Sequence, residues 1–404
     1  MEKSLQRNDV KLHTFWIVLL LGSLTAFGPL SMDMYLPALP IVAEDLQTTT
    51  SLAQLSLTAC LIGLAVGQLV FGPLSDIHGR RKPLIFTLVI YAIASIFCAF
   101  STEIWMFIGL RFVQGVSGAA GIVIARASAR DMYSGKDLTK FVALLALVNG
   151  AAPILAPIIG GGILKFATWN TVFFTLGGIG LLMFIAVIFF LPETLSVENR
   201  AEGSLLAVVK TFGKLLKDPL FMGIASTQAF ISASMFAYIA GSPFVLQNIY
   251  EVSPQQFSLF FAINGVGIII AAQTTGKLSD RFREVNLLFT GILISFTGSV
   301  LLFIVVWQEL SLLLMAIALF LVVSSLGMVS TTAFSLGMQS QGDAAGSASA
   351  FLGLLPFLGG GLVSPLVGLA GDMSAWPMGI IILVCSSSAL LLYFLFVRKN
   401  TSVL

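Results

Sequence analysis

The segment Leu19–Pro40 reads LLLGSLTAFGPLSMDMYLPALP, and its single charged residue is Asp33. The chain before that residue is apolar from Thr14 to Met32, which is long enough to enter a bilayer. A carboxylate near the centre of a membrane helix costs about 2.5–3.5 kcal/mol, so membrane helices rarely keep one without a use. We therefore expect Asp33 to carry a proton or contact a ligand. The alternative is a structural ion pair near the end of the helix.

The composition of the 404-residue chain is that of a membrane protein. Hydrophobic residues make up 57% of the chain and charged residues 10%, with a mean hydropathy of +0.99, whereas soluble domains carry about 25% charged residues. The net charge is +2, without a clustered basic face, so we expect no nucleic-acid partner. The three cysteines and two histidines lack metal-site spacing. We expect no metal, no cofactor and, without a nucleophile–base set, no enzymatic activity.

Apolar segments of membrane-spanning length recur along the whole chain. A bilayer core about 30 Å thick is crossed by about 20 apolar residues in a helix, and twelve segments of the sequence meet that requirement. We therefore predict an all-α polytopic membrane protein with 12 transmembrane helices. The approximate spans are 14–38, 51–75, 83–101, 104–128, 139–164, 171–191, 219–240, 255–279, 285–306, 311–336, 345–370 and 374–397.

The longest polar break divides these spans into six and six. It runs from Pro192 to Pro219 and holds many charged residues. We predict an N-terminal six-helix bundle at 1–191, a cytoplasmic linker at 192–218 and a C-terminal six-helix bundle at 219–404.

Basic residues alternate between the two sides of the membrane. All of the 21 lysines and arginines except Arg111 and Lys165 fall on the side that holds both termini. Because cytoplasmic loops carry the excess of basic residues, we expect both termini to be cytoplasmic. We expect the chain to lie in a bacterial-type cytoplasmic (inner) cell membrane.

A short pattern occurs at equivalent places in the two halves. The segment Gly72–Asp76 reads GPLSD and ends the second span, and the segment Gly276–Asp280 reads GKLSD and ends the eighth. This echo indicates two related repeats. Asp76 lies at the C-terminus of a helix, where the helix dipole disfavours an acid. It therefore needs a partner such as an arginine or the N-terminus of another helix.

The loop after the second span carries the first family resemblance. Gly72–Pro83 reads GPLSDIHGRRKP and resembles the signature loop between the second and third helices of the major facilitator superfamily. Ile77 stands where that signature usually has a basic residue. The resemblance implies the fold of that superfamily, with two six-helix pseudo-repeats. The matching residues are Gly72, Asp76, Gly79, Arg80, Arg81 and Lys82.

The resemblance also implies a latch on the cytoplasmic side. In the family, the aspartate and the first arginine of this loop hold the outward-facing state, so we expect Asp76 and Arg80 to cluster with Asp131 at the end of span four. In the second half Asp280 and Arg281 match the pattern and would form a second latch, although the glycine of the signature is missing there.

The fourth span contains a buried cation. Arg111–Gly115 reads RFVQG and resembles the arginine–glutamine–glycine signature of proton-coupled antiporters. At 1.5 Å per residue, Arg111 lies roughly 12 Å deep and Asp33 roughly 8 Å deep in the same half. A direct ion pair between them is geometrically allowed. The resemblance implies a role in proton coupling for Arg111, and we expect the same role for Asp33 because it is the only acid well inside a span of this half.

The fifth span is rich in proline and glycine. Asn149–Gly162 reads NGAAPILAPIIGGG and resembles the antiporter motif of drug exporters. Prolines and glycines of this density predict a kinked helix that packs closely on its neighbours. The residues of this motif helix are Gly150, Pro153, Pro157, Gly160 and Gly161.

The first span resembles a narrower group. Ser31–Pro40 reads SMDMYLPALP and is similar to the first-helix signature of the Bcr/CflA subfamily of multidrug exporters. The resemblance implies a proton-coupled antiporter that exports small amphiphilic compounds, antibiotics among them, by alternating access. Protons would be its coupling ion, a drug-like molecule and the lipid bilayer its partners, and a monomer its state. The residues expected at the substrate cavity are Met34, Tyr35, Gln114, Phe236, Tyr238 and Asn264.

Two other transport functions stay open at the level of sequence. The chain could export a metabolite such as an amino acid, or it could be a proton-coupled symporter of a neutral solute. A channel is disfavoured because the sequence has no short re-entrant segment and no ring of acidic residues. A primary pump is disfavoured because no phosphate-binding loop is present.

Overall fold

The computed structural model describes residues 17, 19–133, 135–200, 213, 215–339, 341 and 345–400. Throughout this part of the chain the regular structure is helical, without a strand, as the sequence predicts. Ten of its helices are long and apolar enough to cross a membrane, and a bent pair at the start of the chain makes an eleventh. The fifth predicted span falls in a helix whose described apolar part, Gly150–Ile163, is shorter.

The first span is broken rather than continuous, unlike the helix that the sequence predicts. Helix α1 (Leu19–Thr25) is bent by 43° from the segment Phe27–Asp45. That segment begins with helix α2 (Phe27–Asp33), passes through a short 3-10 turn and ends with helix α3 (Leu39–Asp45). Pro29 explains the first break, because a proline ring clashes with the carbonyl four residues earlier, here that of Thr25.

The first compact unit comprises Met1–Tyr35 and Ile62–Gly203 in their described parts. Its core is an apolar cluster in which Leu21, Leu24, Phe27, Tyr91 and Ile124 are buried. Besides α1 and α2, its helices are the C-terminal part of α4 (Thr50–His78), α5 (Arg81–Ala99), α6 (Ile104–Met132), α7 (Gly135–Ile163) and α8 (Asn170–Phe190).

The second compact unit comprises Leu36–Leu61 and Ser204–Leu404 in their described parts. Gln54 of α4 donates from Nε2 to the carbonyl of Ala240 at 2.9 Å inside this unit. Besides α3 and the start of α4, its helices are α9 (Pro219–Phe244), α10 (Pro254–Leu278), α11 (Glu284–Trp307), α12 (Leu312–Gln339), α13 (Ala345–Val363) and α14 (Trp376–Leu392). Two π-helical turns, Val245–Ile249 and Tyr393–Val397, extend α9 and α14.

Local sequence determines where helices of the second unit begin. The carboxylate of Asp218 accepts hydrogen bonds from the amides of Leu220 and Phe221 at 3.0 and 3.1 Å, and Pro219 occupies the first turn of α9. Ser253 forms a reciprocal capping box with Gln256 at the start of α10. The predicted division into bundles at 1–191 and 219–404 stays a prediction, since residues 201–212 and 214 of the linker 192–218 lie outside the described chain.

Candidate functional site

Asp33 lies at the end of α2, where the backbone of the first span is interrupted a second time. Pro37 lacks the amide hydrogen that a continuous helix would direct at the carbonyl of Asp33, so α2 stops at this residue. Asp33 is only 6% exposed. Within the described chain its carboxylate makes no hydrogen bond and no ion pair. The structural ion pair that the sequence leaves open for Asp33 is therefore not formed in that part of the molecule.

Helix α7 packs directly on this interruption. A Cβ atom added to Gly160 would fall on the carbonyl oxygen of Met34, far inside contact distance, so the two backbones meet without a side chain between them. Met34 and Tyr35 are fully buried at this point. Gly160 thus joins the helix of the antiporter-like motif to the residue that follows Asp33. The other residues of that motif, Gly150, Pro153, Pro157 and Gly161, lie in the same helix.

The buried cation of α6 approaches the same segment through an aromatic ring. Arg111 is fully buried, and its Cζ lies 4.4 Å from the centroid of the Tyr35 ring and 5.6 Å from that of Phe173. Its Nη1 donates to Oε1 of Gln114. The described chain contains no ion pair between Arg111 and Asp33. The guanidinium therefore contacts Tyr35, two residues after the carboxylate, by a cation–π interaction.

A chain of buried hydrogen bonds connects Arg111 with the residues before Asp33. Gln114 donates from Nε2 to Oγ of Ser95 at 2.7 Å, and Ser95 donates to the carbonyl of Tyr91 at 2.7 Å. The hydroxyl of Tyr91 pairs with that of Ser31 at 2.7 Å. Tyr91 and Ser95 are site residues that the sequence analysis missed. No signal in one sequence tells which face of α5 adjoins the first span, so only the fold reveals them.

The residues of the predicted cytoplasmic latch are brought together. Arg80 is 6% exposed, and its Nη1 donates to Oδ1 of Asp76 at 2.5 Å and to Oγ of Ser75 at 2.9 Å. Its Nε donates to Oδ2 of Asp131 at 2.8 Å. Burial acts to lower the pKa of Arg80, but the hydrogen bonds and charges of Asp131 and Asp76 outweigh it and raise that pKa above its ordinary value. Arg80 therefore stays charged between two carboxylates.

A further acid completes this group, which we name the Arg80 cluster (Asp76, Arg80, Asp131 and Glu193). The carboxylate of Glu193 accepts hydrogen bonds from the backbone amides of Arg80 at 2.8 Å and Arg81 at 3.2 Å, where α5 begins. Gly79 turns the chain with φ of +86°, and a Cβ there would lie 2.5 Å from Oε2 of Glu193. In the sequence, Glu193 stands out only as one of the charged residues of the linker. The signal that could have identified it is its position just after α8, between Pro192 and Thr194.

Gly72, the other glycine of the signature loop, lies in α4, and the C-terminal turn of that helix carries Asp76. Thr194 also donates to the cluster, from Oγ1 to Oδ2 of Asp131 at 3.1 Å. The loop signature and the end of α8 therefore meet at one set of carboxylates.

The expected second latch is not assembled in the described chain. Asp280 and Arg281 are exposed, and neither side chain makes a hydrogen bond or ion pair there. In the repeated pattern Glu284 occupies the position that corresponds to Arg80. Its carboxylate accepts from Oγ of Ser335 at 2.8 Å and from Nε2 of Gln339 at 2.9 Å, both on α12. An acid in place of the central arginine leaves Asp280 without the cation that the first half supplies.

The remaining residues that we expect at the substrate cavity fall into two groups. Gln114 of the first unit is fully buried beside Arg111. In the second unit, Asn264 donates from Nδ2 to the hydroxyl of Tyr238 at 2.9 Å, and the Tyr238 ring stacks on Phe261 with centroids 5.6 Å apart. Phe236 contacts Phe357 at 6.0 Å between centroids. The structure thus pairs Tyr238 with Asn264 and places Phe236 in a separate aromatic contact.

Comparison with known proteins agrees with this architecture. The family model described as Major Facilitator Superfamily matches residues 21–365. The "Uncharacterized MFS-type transporter YdgK" of Bacillus subtilis (strain 168) is 45% identical over 380 residues, which is 94% of either chain. The "Bicyclomycin resistance protein homolog" of Haemophilus influenzae is 30% identical over 387 residues, which is 96% of this chain and 97% of that protein.

A solved structure gives the same fold at low sequence identity. The inward-facing, unoccupied structure of a bacterial homolog of the human lysosomal transporter Spinster superposes with a TM-score of 0.78. The match covers 96% of this chain and 98% of that one at 14% identity, so it shows a shared fold and nothing about function. A family match over most of the chain and two relatives of nearly full coverage carry the assignment. The chain belongs to the major facilitator superfamily, and it is therefore a multi-pass membrane transporter and not an enzyme.

Proposed function

We propose that this transporter exports small amphiphilic compounds, antibiotics among them, in exchange for protons. The observation that carries the proposal is the position of Asp33, a buried carboxylate at an interruption of the first span, without a partner in the described chain. A charge in such a place is costly unless a proton, a cation or water relieves it. Proton uptake and release at Asp33 would supply that relief once in each cycle.

The surroundings of Asp33 support a coupling role. Gly160 of α7 contacts the backbone of Met34, and Arg111 of α6 contacts the ring of Tyr35. A movement of α6 or α7 would therefore reach the segment that holds the carboxylate. The substrate class rests on a relative that is named for resistance to bicyclomycin and on the first-helix signature.

We also propose that the chain lies in the bacterial inner membrane as a monomer with both termini in the cytoplasm. The distribution of lysine and arginine supports this orientation. In that orientation the Arg80 cluster lies at the cytoplasmic ends of α4, α6 and α8. It would stabilise one conformation of the transport cycle, as the family resemblance implies.

Transport by purified protein in liposomes tests the proposal. An imposed pH gradient should drive uptake or efflux of at least one of a phenicol, a fluoroquinolone and ethidium, and a protonophore should abolish that movement. Cysteine serves as the metabolite in the same panel. Transport of cysteine alone would favour the metabolite exporter. Transport at the same rate with and without the pH gradient would contradict proton coupling.

A further inference from the structure

A pocket of about 350 Å³ lies between α10 and α12 of the second unit. Its volume is within the range of pockets that hold one small molecule. The walls are apolar apart from one amide side chain, and no charged side chain of the described chain lines them. Helix α10 contributes Phe260, Ile263 and Asn264 to the walls, and α12 contributes Ala316, Ile317 and Phe320.

Close contact between α10 and α12 limits the depth of this pocket. A Cβ atom added to Gly267 would lie 2.7 Å from Cε2 of Phe320, and one added to Gly327 would fall on the carbonyl oxygen of Ile268. The two glycines therefore bring the helices together just beyond the last lining residues. Nearer their N-termini the helices leave room between them, and Leu246 of the π-helical turn after α9 also lines this space.

The pocket lies within the hydrocarbon thickness of a membrane. Asn264 follows the first residue of α10, Pro254, by ten residues, which is roughly 15 Å along the helix axis. The hydrocarbon core of a bilayer is about 30 Å thick, so the amide lies near its middle. The side chains of Ile263 and Ile317 at the pocket are exposed on the surface of the protein. A molecule dissolved in the membrane can therefore reach the pocket.

Asn264 gives this apolar pocket one specific polar contact. The residue is only 6% exposed, and its Nδ2 donates to the hydroxyl of Tyr238 at 2.9 Å. Its Oδ1 accepts no hydrogen bond from the described chain. A polar group without a partner is costly in hydrocarbon, where water is absent. A ligand that donates a hydrogen bond would relieve that cost, whereas a lipid acyl chain has no donor.

We propose that this pocket binds an uncharged amphiphile from the membrane. The compound donates a hydrogen bond to Oδ1 of Asn264 and packs its apolar part between α10 and α12. A charged ligand is disfavoured because the walls offer no countercharge and an unpaired buried ion is costly. The proposal rests on the export of amphiphilic compounds proposed above and names the class of compound that this site would take. A phenicol belongs to this class, since it is uncharged, aromatic and carries hydroxyl donors.

Photolabelling of the purified transporter in liposomes tests the proposal. The probe is a phenicol that carries a diazirine, and mass spectrometry identifies the labelled peptides. Labels should fall on the pocket segments of α10 and α12, and excess unmodified phenicol should suppress them. Ethidium, a cation, should not. Labelling of these segments that excess phenicol leaves unchanged would indicate contact with the membrane surface only and would overturn the proposal, as would labels confined to other segments.

A variant that fills the pocket tests the location directly. Ala316→Phe places a ring among the lining residues and should abolish the suppressible labelling. The matched control is Leu313→Phe, since Leu313 lies in the same helix, outside the pocket, and is 70% exposed. It should be labelled like the wild type. Thermal melting verifies that both variants are folded. Equal suppressible labelling of Ala316→Phe and the wild type would contradict the proposal.

A second pair of variants tests the hydrogen bond to the ligand. Asn264→Leu removes the amide, whereas Tyr238→Phe breaks the same internal hydrogen bond but keeps the amide. Asn264→Leu should therefore bind the phenicol about 3- to 10-fold more weakly than Tyr238→Phe, as expected for one hydrogen bond. Equal affinities would overturn the proposal.

The outcomes separate this site from the proposed function. Loss of the pocket labelling together with proton-driven export of ethidium would remove the site and leave the proposed function standing. Suppressible labelling of the pocket without any transport driven by a pH gradient would confirm the site and contradict the proposed function.

Discussion

At the scale of single residues, the site consists of buried polar side chains that hydrogen-bond or contact one another. They surround the carboxylate of Asp33, which has no hydrogen bond or ion pair in the described chain. Arg111 is surrounded by Tyr35, Phe173 and Gln114. A desolvated cation over an aromatic face is worth about 2 kcal/mol or more, so these rings stabilise the charge inside the helix bundle. The hydrogen bonds that continue from Gln114 fix the orientation of α5 against the first span.

The hydroxyl pair between Tyr91 and Ser31 is the last step of that chain, and its loss gives the first prediction. Tyr91→Phe keeps the ring and its edge contact with Phe27, which has centroids 4.6 Å apart, but removes the partner of Ser31. We expect a loss of about 0.6 kcal/mol in stability, the average for hydrogen bonds between membrane helices, and at most about 1.7 kcal/mol, together with slower transport. Thermal melting in detergent and liposome transport measure the two effects.

The control for this variant is Tyr250→Phe. The hydroxyl of Tyr250 donates to the carbonyl of Leu310 at 2.9 Å. Both residues lie outside the membrane spans, so water can replace the lost hydrogen bond. We expect this change to leave transport intact. Equal transport by Tyr91→Phe and wild type would show that the hydrogen-bond chain does not act on the first span.

At the scale of elements, two prolines and one glycine place Asp33. Pro29 and Pro37 interrupt the first span on either side of α2, and Gly160 lets α7 approach the second interruption. The prolines and glycines of the fifth span predict distortion and close packing, whereas the break in the first span was not predicted, although Pro29 and Pro37 are visible in the sequence. The contact between the two spans is not visible there, because the sequence does not tell which helices are neighbours.

Gly160→Ala tests the contact between α7 and the first span. The added methyl group would overlap the carbonyl oxygen of Met34, so one backbone must move, at a cost of about 1–3 kcal/mol. We expect lower thermal stability and a larger loss of transport than of folded protein. Gly162→Ala is the matched control in the same helix, because no atom lies within 4 Å of its added Cβ. It should be neutral or stabilise by up to about 1 kcal/mol. Equal effects of the two variants would contradict the assigned contact.

At the scale of the whole molecule, the sequence predicts the helical class, the positions of the spans and the family, because each follows from local composition and short motifs. It also predicts that Asp76, Arg80 and Asp131 meet, through the family resemblance. It misses Glu193, whose partners at the start of α5 lie more than a hundred residues away in the chain. The sequence also predicts a second latch at Asp280 and Arg281, which the described chain does not form. The repeated pattern GxLSD ends before Glu284, which replaces the central arginine of the first half.

The Arg80 cluster gives a prediction about the conformational equilibrium of the transporter. The Asp131 side chain is 16% exposed and that of Asp76 is 48% exposed. Loss of the Asp131 charge, which is the more buried of the two, leaves Arg80 with less compensation for its burial than loss of the Asp76 charge does. We therefore expect Asp131→Asn to shift the population toward the inward-facing state more than Asp76→Asn does. Distances between spin labels on the cytoplasmic loops report the shift. An unchanged distribution in Asp131→Asn would rule out the latch.

The central claim is that Asp33 carries the coupled proton, and proton release on substrate binding tests it most directly. The measurement uses purified protein in weakly buffered detergent with a pH indicator and a transported substrate from the panel. The wild type and Asp45→Asn, which removes an exposed carboxylate beyond the interruption, should release protons when substrate is added. Asp33→Asn should bind a neutral substrate without releasing protons, and it should lose transport driven by a pH gradient. Proton release and gradient-driven transport at wild-type levels in folded Asp33→Asn would contradict the account.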